Sequence, residues 1–499
     1  MQKRFLKNLA LILFLNLLIK PFWIFGIDLT VQNQVGDETY GFFLSMYSFS
    51  LLFYILLDLG ITNYNNRNIA QNNHLLSKHF SGIATLKLFL GFVYGIVVFI
   101  TGIIFGYGKE QLTMLIWLVM NQFLMSFLLY LRSNISGLML FTTDSLLSVL
   151  DRVLMIILCG FLLWSGFFPH PIQISWFVYA QTVSYTLAVL LALIIVLTHT
   201  GKIKLSFNFT FSLAILRQSL PYAILVLLMS IYNRLEPVLL ERLLDGNIGL
   251  QQTGIYGRAF RLFDAGNNIS LLFAALLLPM FSSLLKKGEP LIHLVKLSFT
   301  IIITMSVGVA IISIIFGDNL LSLLFHSKEI NNIEFDSSIN SSLAVFRVLM
   351  SSFVAVSATY IFGTLLTANG SLKLLNITAL CGVVLNLVLN LILIPRYQAL
   401  GASITSLSVQ LFMAVLQFFL ARKILKIRFG VTYWLQLILY VVTLTFTAIS
   451  LKTAPMSWIY QLLITAGMAA IYVFVLRLLS FKHLKLMILE FKASTNNRL

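Results

Sequence analysis

The stretch IATLKLFLGFVYGIVVFITGIIFG, residues 83–106, decides the fold. It carries a single charged side chain, Lys87, and shows no strict alternation of polar and apolar positions. A helix crossing the hydrocarbon core of a bilayer needs about 20 apolar residues, whereas a spanning strand uses about ten that alternate. The stretch therefore reads as a transmembrane helix. Runs of the same kind recur along the whole chain. Of 499 residues, 59% are hydrophobic and only 10% are charged. A soluble domain has about 45–50% apolar and about 25% charged residues, because its surface must be covered by polar groups. Composition thus excludes a soluble enzyme, a secreted disulfide module and a disordered tail. The expected fold class is an all-α integral membrane protein with about 14 transmembrane helices.

The expected spans are 8–27, 42–62, 83–106, 112–131, 146–167, 174–198, 218–240, 254–285, 293–316, 342–366, 373–394, 399–421, 432–450 and 457–479. The loops left over are too short for a soluble domain. The longest outer loop is 326–341, with Glu329, Glu334 and Asp336, which read as solvated charges. Lys3, Arg4 and Lys7 precede the first run in the manner of a signal peptide. No small-residue cleavage site follows, so a retained helix is expected. Cys159 and Cys381 sit inside apolar runs and read as small buried hydrophobes.

The net charge is +17. Its basic residues are scattered between apolar runs, which points to orientation in a bilayer and away from nucleic acid. With the amino end inside, 20 Lys and Arg residues fall on inner segments and 5 on outer ones. That asymmetry places both ends in the cytoplasm and supports an even number of spans. The segment 199–217 separates two comparable parts. The parts are an amino lobe over 1–200, a second lobe over 201–425, and two further spans with a tail over 426–499. A weak echo links Thr39-Tyr40-Gly41 to Thr253-Gly254-Ile255-Tyr256-Gly257, consistent with duplicated six-helix lobes.

Catalytic and metal motifs are not evident: the chain has neither a phosphate-binding Gly-rich loop nor a His/Cys cluster at ligand spacing. The chain is expected to be no enzyme and to hold no cofactor, with coupling to a proton or sodium gradient left open. The informative residues are charges inside spans, which usually face a polar cavity or a partner. Asn16 and Lys20 share a helix face just before Pro21, facing either a cavity or an interhelical ion pair. Arg234 and Glu236 in the seventh span either neutralise each other or face a cavity. Arg258 opens the eighth span, and Arg261, Asp264 and Asn268 form one stripe on it. Either that stripe is a hydrated outer end, or a bend at Gly266 aims it inward. Asp151 and Arg152 are adjacent and expected to point apart. Asn386 and Asn390 suit interhelical hydrogen bonds. Lys87, Lys296 and Arg477 lie near inner ends, where long side chains snorkel to the interface. Asp264, Glu236 and Asp58 are the ion-coupling candidates. The candidate substrate-binding set is Asn16, Lys20, Arg152, Arg234, Arg258 and Arg261. Its positive surplus favours an anion, and arginine suits phosphate.

The segments Val35-Gly36-Asp37-Glu38-Thr39-Tyr40-Gly41 and Leu57-Asp58-Leu59-Gly60-Ile61 resemble the opening of polysaccharide flippases. Thr253-Gly254-Ile255-Tyr256-Gly257-Arg258-Ala259-Phe260-Arg261 resembles their eighth-helix signature. The stretch 385–397 followed by Leu400-Gly401-Ala402-Ser403 resembles their spans 11 and 12. The chain is similar to Wzx-type O-antigen or capsule flippases, in the polysaccharide-transport branch of the MOP superfamily. The resemblance implies two six-helix lobes around a central cavity, plus two further helices. It implies an undecaprenyl-diphosphate-linked oligosaccharide as substrate, with glycosyltransferases and a glycan polymerase as partners. It also implies that Lys20 and Arg261 occupy the cavity-lining cationic places of the first and eighth spans. A cation exporter of the same superfamily and a membrane glycosyltransferase or polymerase are the alternatives.

Overall fold

The computed structural model describes residues 14–16, 18–62, 65, 69, 75–138, 140–167, 172–200, 209–325 and 332–479. Lys3, Arg4, Lys7, Glu329 and the tail beyond 479 lie outside the described residues, as do the side chains of Glu334 and Asp336. Among the described residues there are twelve α-helices and no strand. They are α1 (Leu29–Leu52), α2 (Leu75–Ile104), α3 (Lys109–Gly137), α4 (Phe141–Trp164), α5 (Ile174–Thr200), α6 (Phe209–Leu243), α7 (Gly246–Lys287), α8 (Ile292–Leu324), α9 (Asn332–Ala368), α10 (Leu372–Leu425), α11 (Val431–Lys452) and α12 (Trp458–Val475).

Among the described residues, eleven helical segments are long and apolar enough to span a bilayer. Two of them are too long for one crossing. Phe14–Leu52 has 39 residues and Leu372–Leu425 has 54. At 1.5 Å per residue these are about 58 and about 81 Å, against a hydrocarbon core of about 30 Å. Each contains a single non-helical residue, Gly36 (φ 79°, ψ 170°) and Gln398 (φ 51°, ψ −131°). These breaks divide each segment into two crossings. Adding α7, whose stretch 268–285 is uncharged and apolar, gives about 14 spans. The protein is an all-α, multi-pass membrane protein.

Two compact units divide the chain, Met1–Gly254 and Ile255–Leu499. In unit 1, α3 packs on α5, α4 on α5, and α1 on α6. The Trp23 and Phe177 rings stack at 5.8 Å, and Phe43 meets Phe177 edge-on at 5.4 Å. Segment 209–243, expected in the second lobe, belongs to unit 1 by packing. Ser230 Oγ donates to the Leu51 carbonyl at 3.0 Å, and Ser45 Oγ and Gln111 Nε2 donate to Glu241. The echoing segments around Gly41 and Gly254 meet here. A methyl group at Gly41 would strike the Leu250 carbonyl, and one at Gly254 the Asp37 backbone. Apolar helices in lipid gain little from burial alone, so such close backbone approach is how they hold together.

In unit 2, α8, α9 and α10 pack in series, and α11 and α12 both rest on α8. The Tyr440 hydroxyl donates to the Thr304 carbonyl at 3.0 Å, and Thr300 and Tyr433 share a 3.0 Å bond. Phe299, Phe418, Phe429, Tyr433 and Trp434 close that seam with ring contacts. Cys159 is buried as expected, whereas Cys381 is exposed on α10. In a membrane protein an apolar side chain can face lipid instead of the protein core.

Candidate functional site

The first span carries a π-helical turn, Trp23–Asp28, directly after Pro21. Proline lacks the N–H that the ladder needs, and such widened turns relieve the mismatch. The first span and α4 run side by side. Asn16, 9% exposed, donates to Ser148 Oγ at 3.2 Å, and Arg152 lies over the Trp23 ring at 5.6 Å. Lys20 is one turn beyond Asn16, as Arg152 is beyond Ser148, so the two cations are level on neighbouring helices. Arg152 Nε reaches Asp151 at 3.5 Å, so the expectation that these neighbours point apart fails. The arginine side chain is long enough to fold back past its own backbone. Tyr40 Oη donates to Asp28 Oδ1 at 3.2 Å. Unit 1 thus gathers Asn16, Lys20, Arg152 and Asp151, with Asp28 as a further acid.

Elsewhere in unit 1, the second span is broken where a continuous helix was expected. After Leu52 the backbone leaves the α-helix, makes a 3₁₀ turn over Tyr54–Leu57, and places Leu59 and Gly60 at positive φ. The break frees the Leu57 carbonyl. Lys87, 2% exposed, fills it with all three ammonium protons directed at acceptors. Its Nζ donates to Leu57 O at 2.9 Å, Ser126 Oγ at 3.0 Å and Asp58 Oδ1 at 2.5 Å. Thr62 also donates to Asp58 from its backbone N–H and its hydroxyl. The snorkelling expectation for Lys87 is therefore overturned. Helix α2 begins at Leu75, twelve residues earlier. That puts Lys87 about 18 Å along the helix, where its ammonium is held by protein acceptors. Asp58, one of the ion-coupling candidates, is the carboxylate of this buried pair.

On α6, Glu236 is 1% exposed, and Arg234 is half-buried two residues before it. Further along, Glu241 accepts from Ser45 and Gln111, and Arg242 lies 3.9 Å over the Tyr107 ring. Burial, together with the Glu241 carboxylate, holds the Tyr107 hydroxyl protonated well above its ordinary range. In unit 2, α7 buries Arg258 and Arg261 at 5% and 7% exposure, and Arg258 lies 5.2 Å over the Phe325 ring. The Asp264 carbonyl accepts from Asn268 at 2.8 Å. Gly266 sits against the Phe353 ring, where an added methyl would lie at 3.3 Å. It permits close packing within a helix that runs on from Gly246 to Lys287, and it is not a hinge. Asn390 donates to Asn386 at 3.0 Å along the helix itself.

Buried arginines in the polar first half of α7 set limits on the chemistry. Among the described residues no group of His, Cys, Asp and Glu suits a metal ion. The side chains present can instead hold an anion, through planar guanidinium donors and ammonium groups in a low-dielectric setting. The family model described as "polysaccharide biosynthesis protein" matches residues 5–285, more than half of the chain. The chain belongs to the polysaccharide biosynthesis protein family.

Among solved structures, this family member resembles the lipid II flippase MurJ in its inward closed conformation. That likeness has a TM-score of 0.69 and 11% identity, over 94% of this chain and 98% of that one. It also resembles an inward-facing multidrug resistance MATE transporter of the MOP superfamily, at TM-score 0.58 and 18% identity, over 81% and 94% of the two chains. A third likeness is to a MOP superfamily transporter from Pyrococcus furiosus, described by the reversed polarity of its binding pocket. There the TM-score is 0.53 and the identity 15%, over 85% and 94%. No curated protein sequence matches the chain. At these identities the likeness is one of fold, shared with the flippase and the transporters just named.

Sequence reasoning missed Asp28, Glu241 and the depth of Lys87. Asp28 lies at the end of a span and resembles a loop acid. Glu241 resembles an interfacial acid. For Lys87 a signal was present in Asp58-Leu59-Gly60, a helix-breaking run inside an apolar stretch that leaves a carbonyl needing a donor.

Proposed function

We infer that this protein is a flippase. It carries an undecaprenyl-diphosphate-linked oligosaccharide from the inner to the outer leaflet of the bacterial cytoplasmic membrane by alternating access. The observation that supports this most is the burial of Arg258 and Arg261 one helical turn apart on α7. Placing a cation within a bilayer costs about 2.5–3.5 kcal/mol or more. Charged residues inside spans pair with protein groups or mark substrate pathways, and two arginines on one turn suit an anion. Lys20 and Arg152, level with each other in unit 1, supply the same chemistry. Family membership supports a role in polysaccharide biosynthesis, and the fold shared with a lipid II flippase supports a lipid-linked cargo.

The diphosphate head group is the anion these side chains suit, while the prenyl tail stays in lipid. Arg234 is a further head-group contact. Asp264 and Glu236 are the carboxylates offered for coupling to protons or sodium. Asp58 is already committed to Lys87 and is a weaker candidate. No chemistry is performed on the substrate, which passes from glycosyltransferases on the inner face to a polymerase on the outer face.

The test is complementation of surface glycan in a strain lacking the flippase, combined with flipping of labelled lipid-linked sugar in reconstituted vesicles. Lys20→Ala, Arg152→Ala and Arg261→Ala are each expected to lower flipping at least about tenfold, with the protein still inserted. Normal glycan in both Lys20→Ala and Arg261→Ala strains would rule out head-group binding by these cations.

A further inference from the structure

Unit 1 contains an open cavity of about 730 Å³ that the head-group cations described above do not line. It lies beside the Gly36 break of α1 and the first turns of α3 and α5, at the end of the spans that the Lys and Arg distribution assigns to the outer side. One end of the cavity is polar, with Lys109, Glu110 and Gln173. The other end is walled by Phe42 and by the Trp117 and Tyr179 rings, which meet edge-to-face at 4.7 Å. Trp117 and Tyr179 are themselves partly exposed. Beyond them the exposed apolar surface continues through Met120 on α3 and through Val183 and Leu187 on α5. The cavity is therefore continuous with the surface that meets acyl chains. Trp and Tyr at its throat are the residues enriched at the depth of lipid head groups.

We propose that this cavity binds a zwitterionic phosphoethanolamine phospholipid of the outer leaflet, its phosphate on Lys109, its ammonium on Glu110, and an acyl chain between Trp117 and Tyr179. The charge pattern selects this occupant. Neither the Lys109 ammonium nor the Glu110 carboxylate is held in an ion pair among the described residues. Adjacent opposite charges repel a purely anionic head group at one side and match a zwitterion at both. A free phosphate would gain nothing from the apolar throat. A bare sugar would leave both charges unmatched. The ethanolamine N–H groups can donate to both the Glu110 carboxylate and the Gln173 amide oxygen, whereas a trimethylated amine cannot. The site would anchor the outer end of unit 1 to a resident lipid, and it does not depend on what the protein transports.

Native mass spectrometry of the full chain, exchanged into equimolar phosphatidylethanolamine and phosphatidylglycerol, tests this directly. The parent is expected to retain phosphatidylethanolamine about fivefold over phosphatidylglycerol. Lys109→Gln and Trp117→Ala should each lower retention of both lipids. Glu110→Gln should lower retention of phosphatidylethanolamine alone. Equal retention of the two lipids by the parent, or an unchanged preference in Glu110→Gln, overturns the proposal. Lys109 and Glu110 are exposed, so their variants should insert and fold normally, which size-exclusion profiles will report. No transport is measured, so failure here leaves the flippase reading untouched, and failure of that reading leaves this one.

Discussion

A lysine inside a membrane helix is stable only if each ammonium proton has an acceptor, and Lys87 meets that condition at a helix break. Removing one partner of a buried pair leaves the other charged and unsolvated, a loss of about 3–5 kcal/mol. Lys87→Met is therefore expected to lower the melting temperature strongly in a detergent thermal-shift assay. Asp58→Asn combined with Lys87→Met should recover part of the loss, because no bare carboxylate remains. A Lys87→Met protein that melts like the parent would show that the pair holds nothing together. The same scale explains a misreading of Arg152. Adjacent positions on a helix point about 100° apart at Cβ, which says little about the end of a long guanidinium side chain.

Helix length and helix ends govern the next scale. Gly36 takes φ 79°, a region that side chains with a Cβ enter only at a cost, and it turns one 39-residue segment into two spans. Gln398 makes the corresponding break at φ 51° and ψ −131° without being glycine. Gln398→Gly should therefore stabilise the protein by about 1 kcal/mol, read as a rise in melting temperature. A fall would show that the glutamine side chain contributes more than its backbone strain costs. Close approach at Gly41 and Gly254 gives the opposite sign. Gly41→Ala and Gly254→Ala place a methyl against backbone that cannot yield, and each is expected to cost about 1–3 kcal/mol. Gly467→Ala is the control, since nothing lies within 4 Å of its added methyl. Equal melting of all three variants would mean the helices separate freely at that contact.

For the whole molecule, the excess of Lys and Arg on alternate loops predicts the sidedness of every span. A green fluorescent protein joined after residue 499 should fluoresce, and alkaline phosphatase joined there should be inactive. Alkaline phosphatase joined after Gly108 should be active. Reversed activities would mean that one crossing is miscounted. The break at Gln398 makes the count sensitive. Reading Leu372–Leu425 as a single crossing would invert every later loop.

Much of this was open to reading from residues alone. Apolar run lengths required a helical membrane protein of about 14 spans. Basic residues between the runs indicated an orientation, and the motifs around Gly36, Gly254 and Asn386 pointed to the family. Helical spacing also showed that Asn16 and Lys20 share a face, and that Arg258 and Arg261 lie one turn apart. Spacing fixes how residues on one helix face relative to each other, but not which neighbouring helix that face meets. Only the tertiary structure set Lys87 against Asp58 and the Leu57 carbonyl, brought Arg152 level with Lys20, and put α6 with unit 1. Those pairings join positions tens to more than a hundred residues apart. Their energies come from packing and charge compensation between helices, and neither is encoded in the periodicity of any one of them.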